Sequence, residues 1–246
     1  MEEMSKLGCN CTIISSDSNQ LASTPKLTAN YQIEKMSNLT FVWLKTYKYV
    51  VAKSVKRILS WFHFEWRLFF FNKKLLDIPD VVIVSSLSLL TVLNGLYLKK
   101  RYKCLLIFEI RDIWPLTLLE EGGYSPKNVF VKFLAWVEKL GYNSADIIVG
   151  TMPNLGQHFS DLGYAKKPIH CIPMGVSDEV FFDTIVPESL SNLCIPKDKF
   201  VVCYAGTIGI TNALDPFFDS IEKLKDNHDI HFLILGDGAL KNQYKK

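Results

Sequence analysis

Short apolar runs alternate with helix-like segments along most of this chain, and that order restricts the folds it can adopt. The runs that predict strands are residues 11–16, 80–85, 103–109, 146–149, 169–172, 200–205 and 230–235. Apolar periodicity predicts helices over residues 87–99, 128–140, 153–162 and in the segment that begins at 215. Strands that alternate with helices pair in parallel, and strands that are apolar throughout are typical of sheets covered on both faces. We therefore predict an α/β fold.

The chain has 246 residues, enough for one large domain or two smaller ones. Residues 182–198 carry prolines, serines and an asparagine, which is typical of a linker. We predict a nearly complete Rossmann-like domain over residues 1–181. Residues 199–246 hold only the first strand, helix and strand of a second such domain. About forty residues rarely bury a core of their own, so we expect the chain to be cut short.

A glycine-rich loop follows each of the last two predicted strands. A right-handed crossover between parallel strands brings both loops to the same carboxyl edge of a sheet. Glycine lets backbone N–H groups approach a ligand, and a helix N-terminus favours phosphate. One interpretation is that the loops bind a phosphate-bearing ligand, and the other is that they are only tight turns. The candidate ligand-binding residues are Gly206, Thr207, Gly209, Gly236, Asp237 and Gly238.

Positive charge is concentrated in one segment of the chain. Residues 41–76 hold eight Lys and Arg and one acid, a net +7, which leaves −4 elsewhere because the whole chain carries +3. That overall charge does not indicate a nucleic-acid-binding protein. We predict a helix over residues 41–76, either continuous or broken, with a basic face. Its lysines either form a solvated face or contact anionic lipid. Its predicted apolar stripe is Leu44, Tyr47, Val51, Val55, Ile58, Trp61 and Phe62.

The six cysteines lack the spacing of zinc ligands, so no metal site is predicted. Cys11, Cys104 and Cys203 fall inside or beside predicted buried strands, which favours reduced, packed thiols in a cytosolic protein. Residues 1–6 lack the apolar core of a signal peptide. Residues 81–98 carry no charge and are long enough for a spanning helix. Their serines, threonine, asparagine and glycine favour a buried strand, a serine loop and a helix instead.

Five motifs, in this order and spacing, resemble bacterial glycosyltransferases of family 4. The closest likeness is to the fucosaminyltransferase-like enzymes that build surface polysaccharides. The motifs are DVVIVSS at 80–86, IFEIRDIWP at 107–115, SADIIV at 144–149, IPMGV at 172–176 and YAGTIG at 204–209.

The resemblance implies a GT-B architecture of two Rossmann-like domains. It implies a retaining, metal-independent hexosyltransferase with no cofactor. The nucleotide-sugar donor, expected to be UDP-linked, binds mainly to the second domain. The acceptor, expected to be lipid-linked or a polysaccharide precursor, binds to the first. The enzyme would work in the cytoplasm, peripherally on the inner face of the plasma membrane.

Arg111 and Asp112 stand where the resemblance implies a functional residue, directly after a predicted buried strand. Arg111 would pair with phosphate oxygens, and Asp112 would accept a hydrogen bond or a proton from a hydroxyl. The alternative is an Arg–Asp surface pair with Trp114 as packing.

The chain also departs from the family pattern. Family members begin with a strand and a glycine-rich loop, and their second domain carries a basic pair and two glutamates. None of these has a counterpart here, so a non-catalytic remnant or scaffold that binds membrane or a partner is the alternative function. A dinucleotide-binding oxidoreductase is a weaker one, because it needs a GxGxxG after the first strand.

Overall fold

The computed structural model describes residues 1–18, 25–49, 55–120, 123–164, 166–175, 195–209 and 212–245. The chain divides into two compact units, Met1–Met174 and Gly175–Lys246. The predicted end of the first domain at residue 181, and residues 182–194 of the predicted linker, lie outside the described residues. The predicted domain limits therefore stay a prediction.

The first unit contains two sheets. A three-stranded sheet has the order β1-β3-β2, with β1 parallel and β2 antiparallel to β3. Its strands are β1 Cys11–Ser16, β2 Tyr31–Met36 and β3 Leu39–Leu44. A four-stranded parallel sheet follows chain order. Its strands are β4 Val81–Ser85, β5 Leu105–Ile110, β6 Ile147–Gly150 and β7 Ile169–Cys171. The predicted α/β fold with parallel strands is confirmed.

The described helices of this unit are α1 Glu2–Lys6, α2 Val55–Phe70, α3 Thr91–Tyr102, α4 Leu116–Glu120, α5 Val129–Ser144 and α6 Leu155–Asp161. α1 and α4 match none of the helices predicted above, and α3, α5 and α6 differ from the predicted ones mainly at their ends. The predicted start of α3 at residue 87 is wrong, because Ser86–Ser88 forms a short 3-10 helix. Residues 81–98 therefore contain a strand, a serine turn and most of a helix. None of the helices in the described ranges is long and apolar enough to cross a membrane.

The predicted helix over residues 41–76 is wrong in its first part. Leu39–Leu44 forms β3, which pairs with a strand on each side and buries Val42 and Leu44 almost completely. Branched and aromatic side chains in this run favour a strand over a helix. Leu44 of the predicted apolar stripe therefore lies on a strand and not on the helix that carries Ile58, Trp61 and Phe62. Residues 50–54, which include Val51 of the stripe, lie outside the described part.

Helices cover one face of the four-stranded sheet. Its strands follow one another in chain order, so right-handed crossovers place α3, α5 and α6 on the same side. The core on that side includes Val84, Leu106, Phe108, Ile148, Leu134, Val137, Leu155 and Phe159. On the other face Val81, Ile83 and Leu105 are exposed to 42%, 42% and 50%. Among the described residues, the predicted cover on both faces is therefore wrong for this sheet.

Two buried glycines let α3 and α5 lie close against the sheet. A Cβ atom at Gly95 would overlap the side chain of Val84, and one at Gly141 would lie 2.8 Å from Cε1 of Phe108. These distances are shorter than ordinary van der Waals contact. The absence of a side chain at each glycine thus fixes the spacing between helix and strand.

The second unit contains two parallel strands, β8 Phe200–Ala205 and β9 Ile230–Leu235, both with the predicted bounds. Its helices are α7 Asp215–Lys223 and α8 Lys241–Tyr244. α7 begins at Asp215, as the sequence predicts, and Pro216 lies in its first turn. Among the described residues no side chain caps this helix, and the Asp215 carboxylate accepts a 2.5 Å hydrogen bond from the Tyr244 hydroxyl.

The predicted packing of cysteines holds in the first unit and fails in the second. Cys11 and Cys104 are buried, whereas Cys203 is exposed. Phe217 of α7 packs on the rings of Tyr204 and Phe232, so α7 covers the strand face that carries Tyr204. Successive side chains of a strand point to opposite faces, which leaves Cys203 on the other one.

We expect Gly95→Ala to destabilise the first unit by about 1–3 kcal/mol, because the new methyl group overpacks the interface of α3 with β4. This loss exceeds the gain in helix propensity of about 1 kcal/mol. The free energy of unfolding in urea measures the effect. Gly156→Ala is the matched control, since a Cβ there meets no atom within 4 Å. Equal effects of the two substitutions would contradict the packing argument.

Candidate functional site

The two glycine-rich loops of the second unit lie side by side. Ala205 pairs with Leu235 at the ends of β8 and β9. Beyond the strands, the Gly206 N–H donates to the Leu235 carbonyl at 2.9 Å. The Ile208 N–H donates to the Asp237 carbonyl, also at 2.9 Å. The loops therefore continue the pairing of the strands, and the structure brings all six predicted loop residues to one edge.

Contact between the loops accounts for two of the glycines. A Cβ atom at Gly236 would overlap the carbonyl oxygen of Gly206, and one at Gly238 would overlap the backbone of Ile208. Ile208 is itself only 4% exposed. Gly236 and Gly238 thus fit the interpretation as tight turns, and their lack of a side chain does not by itself indicate a ligand.

Two backbone N–H groups of the first loop bear on the interpretation as a ligand site. Within the described residues, the amides of Thr207 and Gly209 donate no hydrogen bond. The Tyr204 hydroxyl donates to the Thr207 carbonyl at 2.8 Å. This hydrogen bond fixes the peptide group that lies between the amides of Thr207 and Gly209. A Cβ atom at Gly209 would meet only the Thr207 methyl group, at 3.5 Å. Fixed, uncommitted N–H groups attract anions, so the chemistry predicted for this loop is available at Thr207 and Gly209.

Asp237 orders its own loop. Its Oδ1 accepts a hydrogen bond from the Gly238 N–H at 2.9 Å and lies 3.3 Å from the Lys241 Nζ. The Gly238 N–H and then Lys241 lower the pKa of this exposed carboxyl. One oxygen is therefore committed within the loop. In the described ranges, no group of three or more His, Cys, Asp and Glu side chains is placed to hold a metal ion.

A buried serine holds the backbone of Arg111 and Asp112, which follow β5. The Ser86 Oγ accepts hydrogen bonds from the N–H groups of Arg111 and Asp112, at 2.8 and 3.0 Å. It lies 3.1 Å from the Asp112 carbonyl oxygen and donates to it. The Ser86 carbonyl accepts from the Trp114 indole N–H at 2.7 Å. Sequence reasoning missed Ser86, although a serine pair directly after the apolar run of β4 was a usable signal.

The side chains of Arg111 and Asp112 are half-buried. The Arg111 Nη2 lies 3.8 Å from the Met174 Sδ. In the described part of the chain no ion pair joins Arg111 to Asp112, so the alternative of an Arg–Asp surface pair is wrong. Trp114 is buried and meets the ring of Trp61 edge-on, as the packing interpretation expects.

The half-buried carboxyl group of Glu138 lies next to this segment. The Tyr142 hydroxyl donates to Glu138 Oε1 at 2.6 Å, and the backbone of Trp114 also hydrogen-bonds to Glu138. Burial raises the pKa of Glu138 to about 7, against the lowering effect of these hydrogen bonds. Glu138 therefore exchanges its proton near neutral pH. Its hydrogen bond with the Trp114 backbone helps to hold the Arg111–Trp114 segment in place.

Two solved structures resemble this chain over almost its whole length. Sucrose-phosphate synthase from Thermosynechococcus elongatus matches with a TM-score of 0.58 and 11% identity, over 95% of this chain and 54% of that one. Trehalose-6-phosphate synthase from E. coli, bound with UDP-2-fluoro glucose, matches with a TM-score of 0.58 and 11% identity, over 96% of this chain and 67% of that one. The fold is of the GT-B type.

The GT-B match includes residues of both units, because it covers nearly all of the chain. The chain spans about half the length of the first structure and two thirds of the second. No protein-family model and no curated protein matches the sequence. The resemblance to the fucosaminyltransferase-like enzymes of family 4 therefore stays a prediction.

We expect Ser86→Ala to destabilise the first unit by about 1–3 kcal/mol, because it leaves the amides of Arg111 and Asp112 without their acceptor. Unfolding in urea gives the loss, and amide exchange at residues 111 and 112 shows whether it is local. Ser88→Ala is the matched control, since the buried Ser88 hydroxyl has no hydrogen-bond partner among the described residues. A similar loss in both variants would contradict the role given to Ser86.

Proposed function

We propose that the protein is a glycosyltransferase of the retaining, metal-independent, hexosyltransferase type. It moves a sugar from a UDP-linked donor to a lipid-linked or polysaccharide acceptor in the synthesis of cell-surface polysaccharide. The observation that carries this proposal is the pair of hydrogen-bonded loops at the ends of β8 and β9 in a chain of GT-B fold. The amides of Thr207 and Gly209 in these loops have no partner in the described part of the chain. The motif resemblance to family 4 enzymes supports the acceptor class.

The chemistry of glycosyl transfer suits such loops. The reaction breaks the bond between the sugar and the diphosphate, and negative charge develops on the departing diphosphate. Backbone N–H groups that are fixed before the reaction stabilise this charge without reorganising. In this proposal the N–H groups of Thr207 and Gly209 bind the diphosphate. Gly206, which was also predicted to bind it, has its N–H committed to the Leu235 carbonyl and only shapes the loop. Gly236, Asp237 and Gly238 shape the neighbouring loop, and the second oxygen of Asp237 accepts a hydrogen bond from the nucleotide.

Arg111 and Asp112 act on a substrate in this proposal. The Arg111 guanidinium pairs with a phosphate oxygen, and the Asp112 carboxylate accepts a hydrogen bond or a proton from the acceptor hydroxyl. Support comes from the Ser86 hydroxyl, which fixes both backbone amides and so limits where the two side chains can reach. Positioning of this kind is a large part of what enzymes contribute to a rate.

We expect the chain to bind UDP, and Gly209→Val to weaken that binding about tenfold or more, because the side chain blocks approach to the free amides. Isothermal titration calorimetry measures both affinities. Gly156→Val places the same side chain at an open position of the first unit and is the matched control.

A transfer assay, together with the UDP titration, separates the proposed enzyme from a non-catalytic remnant. Incubation of the protein with radiolabelled UDP-sugars and a lipid extract should move label into the lipid fraction. If the protein neither binds UDP nor transfers label from any UDP-sugar, the transferase proposal fails and the non-catalytic scaffold is favoured.

We also propose that the enzyme lies in the cytoplasm and attaches peripherally to the inner face of the plasma membrane through residues 41–76. At 100° per residue, the exposed apolar side chains of α2 share an arc of about 100°. They are Leu59, Phe62, Trp66, Phe69 and Phe70, which we call the aromatic face. Trp66 and Phe70 are 64% and 63% exposed. Aromatic rings beside basic residues are typical of helices that lie in a membrane interface.

We expect the double variant Trp66→Ser, Phe70→Ser to bind phosphatidylglycerol-containing vesicles at least about tenfold more weakly, because it removes apolar surface that the lipid would bury. Co-sedimentation with vesicles measures the partition coefficient. Leu7→Ser is the control, since Leu7 is 84% exposed outside α2. Equal binding by the wild type and the double variant would rule out attachment through the aromatic face.

A further inference from the structure

The first unit has an open pocket that the substrate roles proposed above do not use. It lies where β1 and β3 end and has a volume of about 410 Å³. Its lining includes Asp17, Lys26, Leu27, Lys45, Lys48 and Tyr49. We propose that this lysine pocket binds a phosphate group of a substrate, either a phosphate monoester or a diphosphate.

The parallel pairing of β1 with β3 builds the floor of the pocket. The Asp17 N–H donates to the Leu44 carbonyl at 3.0 Å, directly after the last paired residues of the two strands. The Thr46 N–H donates to Asp17 Oδ1 at 2.9 Å, and the hydroxyls of Ser16 and Thr46 lie 2.6 Å apart. The two chain segments that carry Asp17 and the lysines are therefore fixed to each other without a ligand.

An ion pair with a buried carboxylate sets the position of one lysine. The Asp17 side chain is only 1% exposed, and its Oδ2 lies 2.8 Å from the Lys48 Nζ. The same ammonium group donates to the Asp17 backbone carbonyl. Burial of an unpaired carboxylate is costly, so Asp17 holds Lys48 at the edge of the pocket. The Lys48 side chain is still 57% exposed, which leaves its ammonium group accessible to a ligand.

The other two lysines are less committed. The Lys45 Nζ donates one long hydrogen bond, 3.4 Å, to the Thr28 carbonyl. Lys26 has no partner among the described residues. Three ammonium groups against the one carboxylate of Asp17 leave a net charge of +2 in the pocket. A phosphate monoester carries about −1.5 to −2 at neutral pH and has three strong acceptor oxygens, which matches that charge and those donors.

The pocket thus adds an acceptor property to the proposed function. The statement that the bound phosphate belongs to the acceptor rests on the proposed function. The binding of phosphate by the lysine pocket does not, because it does not involve the loops after β8 and β9. The phosphate can be that of a soluble sugar phosphate or that of a lipid-linked one, because both present the same charged group to the lysines.

Calorimetric titration with inorganic phosphate and with glucose 6-phosphate tests the soluble source. Co-sedimentation with vesicles that carry a polyprenyl phosphate in phosphatidylcholine tests the lipid source. We expect the double variant Lys26→Gln, Lys45→Gln to weaken whichever interaction occurs by about tenfold or more. Lys35→Gln is the matched control, because Lys35 is exposed on β2 of the same sheet.

Each outcome of these titrations either supports or overturns the lysine pocket as a phosphate site. Lysine-dependent binding of either soluble ligand, or of the polyprenyl phosphate vesicles alone, supports the phosphate site and identifies its source. Binding that the double variant retains at full strength overturns the proposal, and so does the absence of binding by the wild type in both arms. UDP affinity is measured on the same variants. If UDP binding persists when phosphate binding fails, the lysine pocket is wrong and the proposed transferase is unaffected.

Discussion

Parallel pairing of strands determines where chemically active groups can gather in this protein. In a parallel sheet all carboxyl ends lie on one edge, and the backbone leaves its ladder there with polar groups free to meet a ligand. Asp17 follows β1, Ser86 follows β4, Arg111 follows β5 and Gly206 follows β8. Within each sheet, the candidate groups therefore share an edge because of the fold itself. Side chains only decide what each edge can bind.

The glycine-rich loops show how a structure separates two explanations of one motif. Gly236 and Gly238 are required because the neighbouring loop passes too close for a side chain. Gly209 has open space around it, and its amide and that of Thr207 lack partners in the part of the chain that the structure describes. The case for a ligand thus depends on uncommitted N–H groups and not on the number of glycines.

Local patterns predicted some elements well and failed where long-range contacts decide. β8 and β9 have the predicted bounds because each is a short apolar run that ends at a glycine. Residues 41–44 were predicted as helix because a short aromatic run fits both the helical and the strand period of apolar residues. Only pairing with β1 and β2 makes Leu39–Leu44 a strand. Ser86 bonds to residues 25 and 26 positions away, and Asp17 pairs with Lys48 31 positions away. The periodicity of apolar residues within one segment cannot predict contacts between residues so far apart in the sequence.

The helix α2 buries two polar side chains while it exposes several aromatic ones, and this bears on the membrane proposal. It buries Ser60 and Glu65, while the aromatic face meets solvent. The Asn94 side chain donates to Glu65 Oε2 at 2.6 Å, and burial raises the pKa of Glu65 to about 7. Burial of the Glu65 carboxyl group costs free energy, and so does exposure of the Trp66 side chain to water. The reason for the second cost is that burial of apolar surface is what normally drives a helix onto its sheet. That cost falls when the aromatic face contacts an apolar medium, and a bilayer interface beside the basic residues of this segment provides one.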